Sequence, residues 1–306
     1  MAYGRRSWFD ELKEQVNTEK MLTRIILVNV GVFVAVNLFM FICLLITGDK
    51  ARAFDLTYIY LLQWLELPGS VVRLLQRPWV LATNLFTHFD FFHLLFNMLN
   101  LFWFGSILHE YIGPKKLLPL FFYAGIVGGL LFILSANILP FMSPYESGMG
   151  ASASVMGIIV AAATLLPEHE IRLLLIGDVK LKFLAAILVL LDLLLIHDSN
   201  TGGHIAHLGG ALFGFIYIRQ MRVGHDWSIP FNRMLDFFRG IQRRFGKRRQ
   251  PRVVYKREST IGRKSSTMTR NKQEQIDAIL DKINRSGYDS LSKEEKAFLF
   301  QAGKED

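Results

Sequence analysis

Six apolar runs divide this 306-residue chain, and they restrict its folding more than any other feature. They are Leu22–Ile46, Phe91–His109, Leu117–Ile138, Gly150–Leu166, Phe183–Ile196 and Gly203–Ile218. A run of about twenty apolar residues matches the hydrocarbon core of a bilayer. Inside that core each backbone N–H and C=O must be satisfied within the protein, so the runs predict helices. Hydrophobic residues make up 51% of the chain and the mean hydropathy is +0.29, in keeping with a polytopic membrane protein. The first run is too long for a signal core and has no small-residue cleavage site beside it, so it reads as a span. The fourth and fifth are short and are expected not to cross the full core with their own residues. The fold class expected is all-α: a six-helix membrane bundle with a C-terminal helical hairpin. The single cysteine, Cys43, excludes an intrachain disulfide and a cysteine-based metal site.

The polar segments divide the rest. Residues 1–21 form a polar N-terminal segment in which Trp8, Phe9, Leu12 and Val16 have the spacing of a short interfacial helix. Residues 22–220 form the bundle. Within it, residues 49–91 are too apolar for a solvated loop and too broken by Pro68-Gly69 and Arg77-Pro78 for a span, which predicts a segment half-buried at headgroup level. Residues 221–272 are a basic amphipathic stretch and linker. Between Arg219 and Lys272 there are sixteen Lys/Arg against three Asp/Glu, so most of the formal charge of +9 belongs to one juxtamembrane tail. That pattern predicts an anionic lipid surface as partner and argues against nucleic acid. Residues 273–306 predict a helical hairpin. Ile276, Ile279, Leu280 and Ile283 recur at helical spacing, Gly287 ends the first helix, and Ser292 with Glu295 forms a capping box for the second.

Basic residues precede the first run and follow the second and fourth, while the turns after the third and fifth carry none. The positive-inside rule then puts both termini in the cytoplasm, and a cell inner (plasma) membrane is the expected location. The same topology brings the starts of runs two, four and six to one face. Ser152, His207 and the pair His93 and Asn97 therefore lie at a common depth. A serine in an apolar helix commonly serves only as a small contact residue, its hydroxyl bonded back to the helix. Here it shares its level with an imidazole and two polar donors, the parts of a serine hydrolase. At a helix start the N–H groups of Ser152 and its neighbour lack intrahelical partners and can stabilise an oxyanion, and Gly150 permits a tight entry. Ala206, Gly210 and Gly214 recur every four residues, a small face that would press His207 against a neighbouring helix. The rival use of these histidines is a metal site, but no H-E-x-x-H pattern is present and no metal or other cofactor is expected. Asp192, within the fifth run, reads as a structural residue.

Taken together these motifs resemble the rhomboid family of intramembrane serine proteases, of the bacterial type. The matching residues are His88 with His93-Leu94-Leu95-Phe96-Asn97, Glu110 with Gly113, Gly150-Ala151-Ser152, and Ala206-His207-Leu208-Gly209-Gly210 with Gly214. They fall in the family's order and cover about residues 22–220. The resemblance implies a Ser152–His207 dyad without an acid, with His93 and Asn97 assisting the oxyanion hole beside Gly150. It also implies single-span membrane proteins as substrates. His88 is expected to support the long segment before the second run. One residue departs from the pattern: the family reads G-x-S-G, and Ala153 replaces the second glycine. The turn Gly287–Ser292 resembles a small cytoplasmic appendage on some bacterial rhomboids. The reading that competes with a protease is a non-catalytic rhomboid-like protein that binds membrane helices, and the presence of both Ser152 and His207 argues against it. A transporter is less compatible still, since no internal repeat or midplane charge pair occurs. The oligomeric state is not legible.

Overall fold

A computed structural model describes residues 20–173, 177–197, 200–245 and 266–302. The expected interfacial helix near Trp8 lies outside them, as does most of the expected linker. The described chain is predominantly helical and divides into two compact units, residues 1–246 and 247–306.

In the first unit α1 (Lys20–Thr47) leads into α2 (Lys50–Tyr60), where Asp49 accepts the Arg52 N–H at 2.9 Å as N-cap. The connection expected at headgroup level is built of short pieces: α2, two 3-10 turns, strand β1 (Leu67–Pro68), α3 (Val71–Gln76) and α4 (Val80–Thr83). Next come α5 (Phe91–Ile112) and α6 (Pro114–Ile138). Asp90 caps α5 by accepting the His93 N–H at 2.8 Å. Gly113, at φ +79°, turns the chain directly into Pro114, the first residue of α6. Strand β2 (Ser147–Gly148) pairs antiparallel with β1, Leu67 opposite Gly148, and so clips the long connection to the loop that enters α7 (Ser152–Leu165). A hairpin of β3 (Glu170–Leu173) and β4 (Gly177–Lys180) occupies the expected polar turn, and α8 (Leu181–Leu194) and α9 (Thr201–Arg222) complete the bundle.

Helix α9 fits between α7 and α6 because glycines remove the side chains that would collide. A Cβ on Gly210 would lie 2.0 Å from the Ala153 carbonyl oxygen, and one on Gly214 would lie 2.0 Å from that of Gly157. The four-residue periodicity of small residues on α9 is thus spent on backbone contact with α7. Leu101, Phe104, Leu120, Phe121, Ile158 and Ile218 fill the centre, each at most 2% exposed. Large apolar side chains face outward on α1, α5 and α8, among them Ile46, Phe92 and Ile187, as lipid contact requires. Among the described residues three helices, α1 from Met21, α5 and α6, are long and apolar enough to cross a membrane, and α7 is a shorter apolar helix of 14 residues.

The bundle does not stop at the expected residue 220. Helix α9 runs to Arg222, and α10 (Ser228–Phe245) folds back onto the same unit. Phe231 packs at 5.6 Å from the rings of both Phe122 and Tyr123, and the Asn232 amide donates to the Lys115 carbonyl at 2.9 Å. Phe231 is thereby buried against α6, while Phe237 and Phe238 further along the helix stay exposed. In the second unit α11 (Ser266–Ser286) and α12 (Lys293–Ala302) flank a 3-10 turn. Ser292 donates its N–H to Glu295 at 2.7 Å and its hydroxyl accepts the Glu295 N–H at 3.2 Å, while Lys282 pairs with Glu295 at 2.9 Å.

Candidate active site

The chain enters α7 through Gly150, whose φ of +124° belongs to the region that favours glycine. A Cβ there would lie 2.7 Å from His93 Cε1, so the missing side chain also admits the His93 ring. The Gly150 N–H donates to the Asn84 carbonyl at 2.9 Å, and the Ala151 N–H donates to His88 Nε2 at 3.2 Å. Since Nε2 accepts, the His88 ring is neutral. Burial is the main reason: the side chain is fully covered, and together with the neighbouring His93 this lowers its pKa to about 4. His88 lies outside the apolar helices and pins the segment before α5 to the residue preceding Ser152.

Ser152 is the first residue of α7, with Ala151 as N-cap. Helix geometry gives the N–H groups of Ser152, Ala153 and Ser154 no intrahelical acceptor, and the helix dipole is positive at this end. Ser152 and His207 line one cavity of about 610 Å³ together with His93, Gly150, Asn84 and Asn200. A second cavity of about 220 Å³ joins Ser152, His207, Asn97 and Asn100. The expected site residues are therefore brought to one place from four parts of the chain. Their hydrogen bonds are more specific than the sequence suggested. No hydrogen bond joins Ser152 to His207 among the described residues. The Asn97 amide donates to the His93 carbonyl, one turn back on its own helix, at 2.8 Å. It faces the smaller cavity while already anchored.

Ala153, the departure from the G-x-S-G pattern, is 6% exposed and lies beside Gly128 of α6: a Cβ on Gly128 would come within 2.8 Å of the Ala153 methyl. The methyl that α7 carries is accommodated by one that α6 lacks.

The sequence reading misses Asp192. Its Oδ1 lies 2.7 Å from His204 Nδ1 and 3.0 Å from His207 Nδ1. The residue is buried, and its other oxygen has no hydrogen-bond partner. A signal was available. Asp192 lies just before the end of α8, and His204 and His207 lie just after the start of α9. A short connection between antiparallel helices brings such positions to the same level. The three donor atoms lie within 4.8 Å of one another, a composition that metal ions use. The two N···O separations are those of direct hydrogen bonds.

A helical membrane bundle with a serine at a helix start and a histidine across one cavity defines the class. Residues 75–222 match the model of the Rhomboid domain, and this region of the chain belongs to the rhomboid family. Residues 259–304 match a second model, a family of unknown function (DUF6576). Presenilin-associated rhomboid-like protein A, mitochondrial, of Danio rerio is 31% identical over 162 residues, 52% of this chain and 40% of its own length. RHOMBOID-like protein 12, mitochondrial, of Arabidopsis thaliana is 28% identical over 48% of each chain. Rhomboid protein 1, mitochondrial, of Saccharomyces cerevisiae is 28% identical over 47% of this chain and 43% of its own. The chain thus matches less than half the length of these curated relatives. They correct the expected location: relatives named as mitochondrial point to a mitochondrial membrane and away from a bacterial plasma membrane. The physical reason for the error is that loop charges report which side of a membrane a segment faces, not which membrane it occupies.

Proposed function

We propose that this protein is an intramembrane serine endopeptidase that cleaves single-span membrane proteins in or near their transmembrane segment. The observation that carries the reading is the shared cavity of Ser152 and His207 at the N-terminus of α7. In this reading α1, α5, α6, α7, α8 and α9 are the six membrane helices, and the starts of α5, α7 and α9 share one face of the membrane. Ser152 Oγ attacks the scissile carbonyl carbon as its proton passes to His207. The carbonyl π electrons move to oxygen, and the N–H groups at the start of α7, assisted by His93 and Asn97, stabilise the oxyanion. On collapse the C–N bond breaks and His207 returns the proton to the leaving amine. Water then attacks the acyl-serine by the same route, releasing the carboxylate product and the free hydroxyl. A resting Ser–His pair without a hydrogen bond is compatible with this, since such bonds tighten when substrate binds. The C-terminal unit is an appended helical hairpin, and the basic tail contacts anionic lipid.

The test is incubation of the detergent-solubilised protein with a single-span substrate, wild type beside Ser152→Ala. Cleavage by the wild type alone supports the reading. Equal cleavage by both, or none by either across a panel of substrates, refutes it.

A further inference from the structure

Nothing in the rhomboid resemblance calls for an acid, yet this chain builds one against its base. Asp192 is 6% exposed, and a carboxylate in such a place must be held by donors. Two donors are present, both on α9: His204 Nδ1 at 2.7 Å and His207 Nδ1 at 3.0 Å, converging on the single oxygen Oδ1. A carboxylate oxygen only accepts, so each ring donates an Nδ1–H. In a neutral imidazole one nitrogen carries the proton and the other the lone pair. The His207 proton is therefore committed to Nδ1, and the lone pair needed for general-base work is committed to Nε2. His204, one turn before His207, holds the same oxygen and removes the freedom of the carboxylate to rotate away. The rings of His204 and His207 stand 6.1 Å apart and nearly perpendicular, as two donors converging from one helix face require.

We propose that Asp192 is a positioning residue for His207. It fixes the tautomer and the ring orientation of the base that serves Ser152, and His204 braces it, making a Ser152–His207–Asp192 triad in place of a bare dyad. No proton passes to Asp192. Its charge faces the imidazolium formed when His207 takes the serine proton, so the interaction is strongest when the oxyanion exists.

The inference rests on the protease reading, and the experiment separates the two. Full-length wild type, Asp192→Asn, Asp192→Glu and Ser152→Ala are reacted with a fluorophosphonate probe in detergent. The amplitude of labelling reads the folded fraction, and the rate constant reads the activation of Ser152. Asp192→Asn is expected to keep amplitude but lose at least about tenfold in rate constant, short of the roughly 10⁴-fold seen for a triad aspartate. In parallel steady-state cleavage of a single-span substrate the loss should appear in kcat with KM little changed, and in both assays Asp192→Glu should recover part of it. A merely structural Asp192 would reduce amplitude and leave the rate constant alone, and that result overturns the proposal. An unlabelled wild type overturns the protease reading itself. A second measurement needs no variant: nitrogen-15 NMR of histidine-labelled wild type should show His207 as the Nδ1–H tautomer, and an Nε2–H tautomer rejects the assignment.

Discussion

Gly128 on α6 faces Ala153 on α7 so closely that a methyl group on the glycine would lie 2.8 Å from the Ala153 Cβ and 2.4 Å from the Ala206 carbonyl oxygen. The residue after Ser152 and the residue before His207 therefore meet on one glycine. Gly128→Ala should lower the melting temperature, with the cost of overpacking, about 1–3 kcal/mol, as the scale. Adding Ala153→Gly should recover only part of the loss, because the Ala206 oxygen still obstructs. Full recovery in the double variant, measured by thermal unfolding in detergent, would mean that the methyl–methyl contact is the whole cost.

Ser152→Ala and His207→Ala should each abolish cleavage. Ser152→Ala should leave the melting temperature near that of wild type, since Ser152 makes no described hydrogen bond, whereas His207→Ala should lower it by removing one of the two donors to the buried Asp192 carboxylate. Cleavage of a fluorogenic single-span substrate, with thermal unfolding alongside, checks both halves. Substantial residual activity in either variant removes that residue from the mechanism.

Asn97 offers a subtler expectation. One amide hydrogen is held by the His93 carbonyl at 2.8 Å, which aims the side chain, and under the proposed mechanism the second hydrogen would serve the oxyanion. Asn97→Ala should lower kcat by roughly 10- to 100-fold with little change in KM, somewhat below the loss expected for a sole oxyanion donor because the helix N–H groups remain. Steady-state kinetics decide it, and a pure KM effect would reassign Asn97 to substrate binding.

His88 links stability to pH. Its folded pKa is about 4, below the ordinary 6.5, so the unfolded chain binds the extra proton between those values. The contribution of the buried neutral ring is complete above about pH 6.5 and is lost as pH falls toward 4. His88→Asn should reduce stability at pH 7 by removing the acceptor of the Ala151 N–H, and should also flatten the decline between pH 6.5 and 4. Melting curves of both proteins across that window test it. Parallel declines would exclude His88 as a source of the acid sensitivity.

The helices of the bundle were legible because apolar runs of this length leave the backbone few alternatives, and the small-residue period of α9 announced its contact with α7. The shared level of Ser152, His207, His93 and Asn97 followed from counting spans. The interior of residues 49–91 was not legible: α2, α3 and α4 are short and held by distant partners, such as the β2 pairing and Asn137, whose amide donates to the Gly69 carbonyl at 2.7 Å. Nor was α10 as part of the bundle, since an amphipathic face looks the same whether it will meet lipid or Phe122 and Tyr123. Asp192 was overlooked for a similar reason. Fifteen residues separate it from His207 in sequence, and only the antiparallel turn of α8 into α9 closes that distance.

Helix α8 has 14 residues, which at 1.5 Å per residue is about 21 Å. Its outward side chains, Phe183, Ile187, Leu190 and Leu194, are all more than half exposed, so in the proposed six-span arrangement the lipid on that flank would meet an apolar belt thinner than the roughly 30 Å of a bilayer core. Hydrophobic mismatch of this size is relieved by bilayer thinning at α8 or by Lys180 and Lys182 reaching outward from its start. Where the bilayer thins, a visiting helix of ordinary length has more apolar residues than the local core can hold. Its end emerges into the headgroups, where water competes for its backbone hydrogen bonds.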